Sequence, residues 1–219
     1  MPMIDAVIFD NDGTLTDSRG LILNSRQLLL REYGIEKTIE VLDKEHQSLE
    51  LYEELCINFE RRLTQSEFET MAEKYRAIQS TILADSVKLF PNVLEVLEQL
   101  KKMNVKIALA TNRPRKSLET MMEVAGLNGI FDVVISRNEI TKPKPDPEMI
   151  HVSMKLLGCT NKDRIIYCGD SETDMAAGAS AGVKTAIVPY KPGPTETPPT
   201  YDLKQLSDLI QICTDGTYH

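Results

Sequence analysis

Apolar residues cluster in five short runs, at residues 4–9, 105–110, 133–135, 165–168 and 185–188. Runs this short and rich in β-branched side chains predict strands, and the helical patterns between them predict a parallel sheet covered on both faces. The helices carry their own punctuation. Val93, Val96, Leu97 and Leu100 fall on one face of a helix expected over about 92–103. Leu118, Met121, Met122 and Val124 mark another, closed by Gly126, and in DPEMIHVSMKLLG the spacing predicts Asp146 as N-cap, Pro147 as first residue and Gly158 as stop. The expected fold class is open α/β.

One interval is too long for this scheme. Between Asp10 and Val105 lie about 90 residues, whereas a strand-helix-strand unit needs only ~30. The stretch 17–88 has no proline, only Gly20 and Gly34, and is rich in Leu, Glu, Arg and Gln, so it reads as amphipathic helices folded into an inserted all-helical domain. The expected division is therefore a core of 1–16 and 89–219 with a cap of 17–88. At the other end, PYKPGPTETPPTYD reads as an irregular proline-rich surface loop before a last helix carrying Leu203, Leu206, Leu209 and Ile210.

Composition narrows the function. A net charge of −8 and a pI near 5.0 argue against a general nucleic-acid or anionic-membrane binder. No apolar run approaches the ~18 residues of a membrane span, and the N-terminus has no basic signal region, so a cytoplasmic location is expected. Cys56, Cys159, Cys168 and Cys213 lack metal-ligand spacing and read as reduced thiols. No protein partner is evident.

The unusual polar residues follow the strands. Asp10-Asn11-Asp12-Gly13-Thr14 comes after the first, Thr111-Asn112-Arg113 after the second, Lys142-Pro143-Lys144-Pro145-Asp146-Pro147 in the loop beyond the third, and Gly169-Asp170-Ser171-Glu172-Thr173-Asp174 at the end of the fourth. In an open parallel sheet these ends share one rim, where ligands bind. Asp10, Asp12, Asp170 and Asp174 would crowd there, and two carboxylates 4 Å apart repel by ~4 kcal/mol at an effective dielectric of 20. All-oxygen donors without histidine or cysteine suit a small hard cation that also grips phosphate, Mg²⁺ rather than zinc. Lys142 adds a positive charge, while Thr111 and Asn112 offer donors to an oxyanion.

Taken together, FDNDGTLTDS, ATN, KPKPDP and GDSETD resemble the four motifs of the haloacid dehalogenase-like superfamily, in its phosphoglycolate-phosphatase-like branch with a helical cap. The resemblance implies a Rossmann-like core, Mg²⁺ as cofactor and a small phosphorylated metabolite as substrate. It implies Asp10 as nucleophile, forming a phospho-aspartate, and Asp12 as general acid and base. It implies a metal held by the Asp10 side chain, the Asp12 carbonyl and Asp170, with Asp174 behind them. Thr111 and Lys142 would act on the transferring phosphoryl group, with Asn112 and Gly13 also at the phosphate, and Lys144 is read as solvated. The cap would close over the site on hinges near 16–18 and 86–91.

Two positions depart from the common pattern. Asn11 stands where relatives often carry an apolar residue, and it either shapes the leaving-group side or bonds a neighbouring loop. Arg113 stands where lysine is common, and it either contacts substrate or pairs on the surface. Arg19, Arg26, Arg61 and Arg62 are candidate substrate contacts in the cap, and His46 and His151 read as non-catalytic. A phosphomutase of the β-phosphoglucomutase type would use the same residues, and a non-catalytic binding module is the reading from another class. Phosphoglycolate, a sugar phosphate, a nucleotide or pyrophosphate all fit the motifs.

Overall fold

The computed structural model describes residues 2–45, 51–190 and 195–217. His46 and residues 191–194 of the proline-rich segment lie outside the described residues. The chain divides into two compact units, Met1–Asp17 with Lys88–His219, and Ser18–Val87.

The first unit is built on a six-stranded sheet. In chain order its strands are β1 (Ala6–Phe9), β4 (Lys106–Ala110), β5 (Val133–Ile135), β6 (Ile165–Gly169), β7 (Lys184–Ile187) and β8 (Tyr201–Asp202), and a separate antiparallel pair joins β2 (Thr16–Asp17) to β3 (Lys88–Leu89). Across the sheet the order is β5-β4-β1-β6-β7-β8, and every neighbouring pair is parallel. Side chains alternate across β1, so Val7 and Phe9 join one buried cluster and Ala6 and Ile8 the other.

The flanking helices of this unit are α5 (Val93–Lys102), α6 (Arg115–Val124), α7 (Glu148–Leu157), α8 (Glu172–Ala181) and α9 (Asp208–Asp215). Val96 and Leu100 of α5, Leu118 and Met122 of α6 and Leu209 of α9 cover the Phe9 face. Met149 and Ile150 of α7 and Ala177 of α8 cover the Ile8 face. Burial of a strand on both faces is what makes its sequence a continuous apolar run.

Two details differ from the sequence-based reading. Helix α7 starts one residue later, at Glu148; the Asp146 carboxylate accepts the Glu148 N–H at 3.0 Å, and Pro147 takes the cap position. The proline-rich segment, expected to be wholly irregular, ends in β8, which pairs Tyr201 with Ala186 as the edge of the sheet. Its tether is specific: Glu172 accepts from the backbone of Glu196 and Thr197, and Thr185 and Thr200 exchange side-chain to backbone bonds. A two-residue strand amid prolines is too short to leave a periodic signal.

The second unit is all-helical: α1 (Arg19–Glu32), α2 (Ile39–Glu45), α3 (Leu51–Asn58) and α4 (Gln65–Ser86). Leu23, Leu29 and Leu30 of α1 pack with Leu42, Leu55 and Met71 in its own core. Thr64 and Glu67 form a reciprocal cap at the start of α4. No helix among the described residues is long and apolar enough to cross a membrane.

Candidate active site at the strand ends

Asp10 is the first residue past β1, and its N–H donates to the Cys168 carbonyl on β6 at 2.8 Å, which carries the ladder one step beyond the strand. Its carboxylate is almost wholly buried. Beside it, oxygens of Asp10, Asp170 and Asp174 all lie within 4.8 Å of one another. Burial pushes the Asp10 carboxyl up to about 7, with Asp174 and Asp12 adding repulsion that Lys144 partly offsets. Burial likewise pushes Asp170 up to about 8, reinforced by Asp174 and Asp10.

Asp174 behaves differently because its oxygens are satisfied. Burial opposes its charge, but hydrogen bonds and a cation outweigh that cost, and its carboxyl sits below the usual range. Oδ1 accepts from Lys144 Nζ at 2.7 Å and the Tyr167 hydroxyl at 3.1 Å, and Oδ2 accepts from the N–H groups of Asp170 and Ser171 and from Ser171 Oγ. With both oxygens engaged, Asp174 is suited to orienting its neighbours, and Asp10 and Asp170 keep lone pairs for a cation.

The lysine of the site is Lys144. Its Nζ lies 2.7 Å from both Asp10 Oδ1 and Asp174 Oδ1, and its side chain is only 4% exposed. Burial alone would lower its affinity for a proton, but Asp10 and Asp174 hold it well above the ordinary lysine range. The expectation that Lys142 fills this place and that Lys144 is solvated is therefore corrected. The Glu148 carboxylate, at the start of α7, takes the N–H groups of Thr141 and Lys142, and the Lys142 side chain points outward, 71% exposed, 3.8 Å from Asp146.

Asn112 does not aim its amide at an open space. Oδ1 accepts the Lys144 N–H at 3.1 Å and Nδ2 donates to the Lys144 carbonyl at 3.4 Å, so this residue anchors the backbone of the lysine. Thr111 is buried, and its hydroxyl oxygen accepts the Arg113 N–H at 3.2 Å, leaving the hydroxyl proton to donate elsewhere.

Gly13 has φ +81°, a conformation costly for other residues, and a Cβ there would overlap the Asp170 carboxylate. Glycine is what lets the turn after β1 lie against Asp170. Asn11 is buried, and its Nδ2 donates to Thr16 Oγ1 and to Met121 Sδ. The bonds of Asn11 go to strand β2 and helix α6 rather than to a neighbouring loop.

Arg113 is buried and pairs inside the site, not on the surface. Nε and Nη2 reach Oδ2 and Oδ1 of Asp12 at 2.9 and 2.5 Å, and Nη1 donates to Ser117 Oγ at 2.8 Å. Neither Arg113 nor Lys144 was expected as a partner of the acidic residues. For Arg113 the signal was its place directly after Thr111-Asn112, opposite a rim rich in Asp. For Lys144 the local signal is weak: both lysines adjoin Pro143, and Lys144 differs only in being followed by Pro145 as well. In the helical unit, Arg19 pairs with Asp43, Arg26 with Glu54, and Arg61 with Glu67. Arg62 has a side chain lining a shallow pocket with Cys56 and Ile57.

Comparison with known proteins places this geometry. The family model of haloacid dehalogenase-like hydrolases matches residues 7–188. A pyrophosphatase, PpaX, from Bacillus velezensis is 32% identical over 216 residues, covering 95% of this chain and 96% of that protein. The fold is shared with a predicted phosphoglycolate phosphatase from Haemophilus somnus, at TM-score 0.84 and 23% identity, covering 97% of this chain and 99% of that one. It is also shared with a haloacid dehalogenase-superfamily hydrolase from Geobacter sulfurreducens, at TM-score 0.77 and 23% identity, covering 97% of each.

Proposed function

The chain belongs to the haloacid dehalogenase-like hydrolase family and is a phosphatase, and we propose that it hydrolyses a small phosphorylated metabolite through a phospho-aspartate on Asp10. The observation that carries this reading is the buried Asp10 carboxylate, bonded to Lys144 and crowded by Asp170 where β1 ends.

An anionic nucleophile meets an anionic phosphate only if nearby cations offset the repulsion. Lys144 supplies one fixed charge. Mg²⁺ fits as the second, because Asp10 and Asp170 bring carboxylate oxygens within 4.8 Å of each other, and burial, with repulsion from the neighbouring aspartates, pushes both carboxyls up. Side chains of Asp10 and Asp170, with the Asp12 carbonyl, would hold it. When bound, the ion neutralises phosphoryl oxygens and keeps Asp10 ionised.

The residues of the chain then divide the work. A carboxylate oxygen of Asp10 attacks phosphorus as the bond to the leaving oxygen breaks, and Asp12 gives that oxygen its proton. In the second half Asp12 takes a proton from water as the water oxygen bonds phosphorus; the bond to Asp10 breaks, releasing inorganic phosphate and restoring both carboxyl groups. Lys144 and the Thr111 hydroxyl bind the transferring oxygens. Asp174 holds Lys144, and Asn112 holds its backbone.

Pyrophosphate is the first substrate to test, since the Bacillus velezensis pyrophosphatase matches nearly the whole chain. The test is phosphate release from pyrophosphate, phosphoglycolate, hexose phosphates and nucleotides, each with Mg²⁺ and with EDTA. Release with Mg²⁺ and its loss with EDTA are expected. Isomerisation of hexose phosphates without phosphate release would overturn the hydrolase reading.

A further inference from the structure

Asp12 projects toward the second strand-end cluster, and its partner there is unusual for a residue that must hand over protons. Both carboxylate oxygens are gripped by one guanidinium, from Arg113 Nε and Nη2 at 2.9 and 2.5 Å. The pair is unequal in exposure. Arg113 is 6% exposed and Asp12 23%, so the guanidinium is walled in while an edge of the carboxylate faces out.

Arg113 is itself held from several sides. Nη1 donates to Ser117 Oγ in the first turn of α6, and its carbonyl accepts the Arg137 N–H at 3.0 Å. Its own N–H donates to Thr111 Oγ1. A single residue therefore ties together two members of the proposed machinery: its backbone turns the Thr111 hydroxyl and its side chain fixes the Asp12 carboxylate. A planar fork of this kind sets orientation as well as distance, which an ammonium does not. A carboxylate has about four lone-pair sites, and the fork takes two of them.

We infer that Arg113 is a positioning residue for the reaction, acting through Asp12: it locks the acid and base carboxylate in one orientation with an edge open to the substrate. This rests on the role proposed above for Asp12. Arg113 is assigned no bond to phosphorus or to the leaving oxygen, and its contribution is the geometry of the carboxylate that moves the proton. Without the fork, Asp12 loses the bidentate contact that sets its orientation, and misplacement by about 1 Å costs on the order of 100-fold in rate.

The test is a double-mutant cycle on kcat and KM for phosphate release from p-nitrophenyl phosphate and from pyrophosphate, using Arg113→Ala, Asp12→Ala and both together. Acting through Asp12, Arg113→Ala lowers kcat about 10- to 100-fold with KM within about two-fold. In the Asp12→Ala background it lowers kcat by less than about two-fold, because nothing is left to position. Arg113→Lys retains a cation without the fork and is expected to recover only part of the loss; it also carries the cycle if the alanine variant fails to fold. Losses that multiply in the two backgrounds, a change confined to KM, or an unchanged kcat would each overturn the inference. If the wild type turns over and Asp10→Asn abolishes it, additive losses refute the assignment of Arg113 alone. A wild type that releases no phosphate from any substrate overturns the phosphatase mechanism, and this inference with it.

Discussion

Lys144 Nζ stands 2.7 Å from Asp10 Oδ1, across 134 residues of sequence, and the same ammonium reaches Asp174 Oδ1. All three side chains are buried. Removing the one cation of this set leaves two buried carboxylates without compensation, a loss of about 3–5 kcal/mol in buried pairs. Lys144→Met is expected to destabilise the protein by that order and to lower kcat for phosphate release at least 100-fold. Lys142→Met, whose side chain lies 71% exposed, is expected to keep kcat within about two-fold. Equal losses in the two variants, measured beside their urea midpoints, would refute the distinction.

That contrast marks where the sequence stops being legible. Strands β1, β4 and β6 are readable because each is buried on both faces and so spelled as an apolar run. The helices are readable from single faces such as Val93, Val96, Leu97 and Leu100, all buried. Lys142 and Lys144 share charge and a neighbouring Pro143, and what separates them is Glu148 pinning the backbone of the first and Asn112 that of the second. The first contact spans 6 residues and the second 32, and neither leaves a periodic trace. The Arg113 fork is of the same kind, joining residues 101 apart. Strand β8 escaped because two residues of pairing cannot overcome the appearance of five nearby prolines.

Gly13 makes a sharper case about the cation. With φ +81° and the Asp170 carboxylate lying where a Cβ would go, Gly13→Ala must move either the turn or Asp170. The strained backbone alone costs about 1–2 kcal/mol. Thermal unfolding with Mg²⁺ and with EDTA should show the ion stabilising the wild type and much less the variant. An equal Mg²⁺-dependent shift in both would show that Asp170 is not among the ligands.

Asp10→Asn keeps the size of the side chain and removes its nucleophilic oxygen. It also takes one negative charge from a cluster where Asp10 and Asp170 repel. The variant is therefore expected to unfold no more easily than the wild type in EDTA, while phosphate release falls below about one thousandth. Brief incubation of the wild type with labelled pyrophosphate and acid quenching should trap a phosphoryl group that hydroxylamine releases. Turnover by Asp10→Asn at the wild-type rate would remove Asp10 as nucleophile.

In the helical unit, Glu54 of α3 is 1% exposed and its Oε2 lies 2.7 Å from Arg26 Nε of α1. Burial pushes its carboxyl from the ordinary 4.5 up to about 7, more than Arg26 and Lys37 pull it down. The folded chain thus keeps a proton on Glu54 through a range in which the unfolded chain has released it. The stabilisation linked to that proton is complete below about pH 4.5 and is lost as pH rises through about 7. Between pH 5 and 8 the loss is on the order of 2 kcal/mol, since each unit of difference is worth about 1.4 kcal/mol. Glu54→Gln cannot titrate, so whatever constant offset the lost carboxylate brings, the unfolding free energy of the variant should gain that amount on the wild type over the same interval. Urea midpoints at pH 5, 6.5 and 8 measure the difference. Parallel curves for the two proteins would mean that Arg26 holds the carboxylate charged throughout, and that the ion pair outweighs its burial.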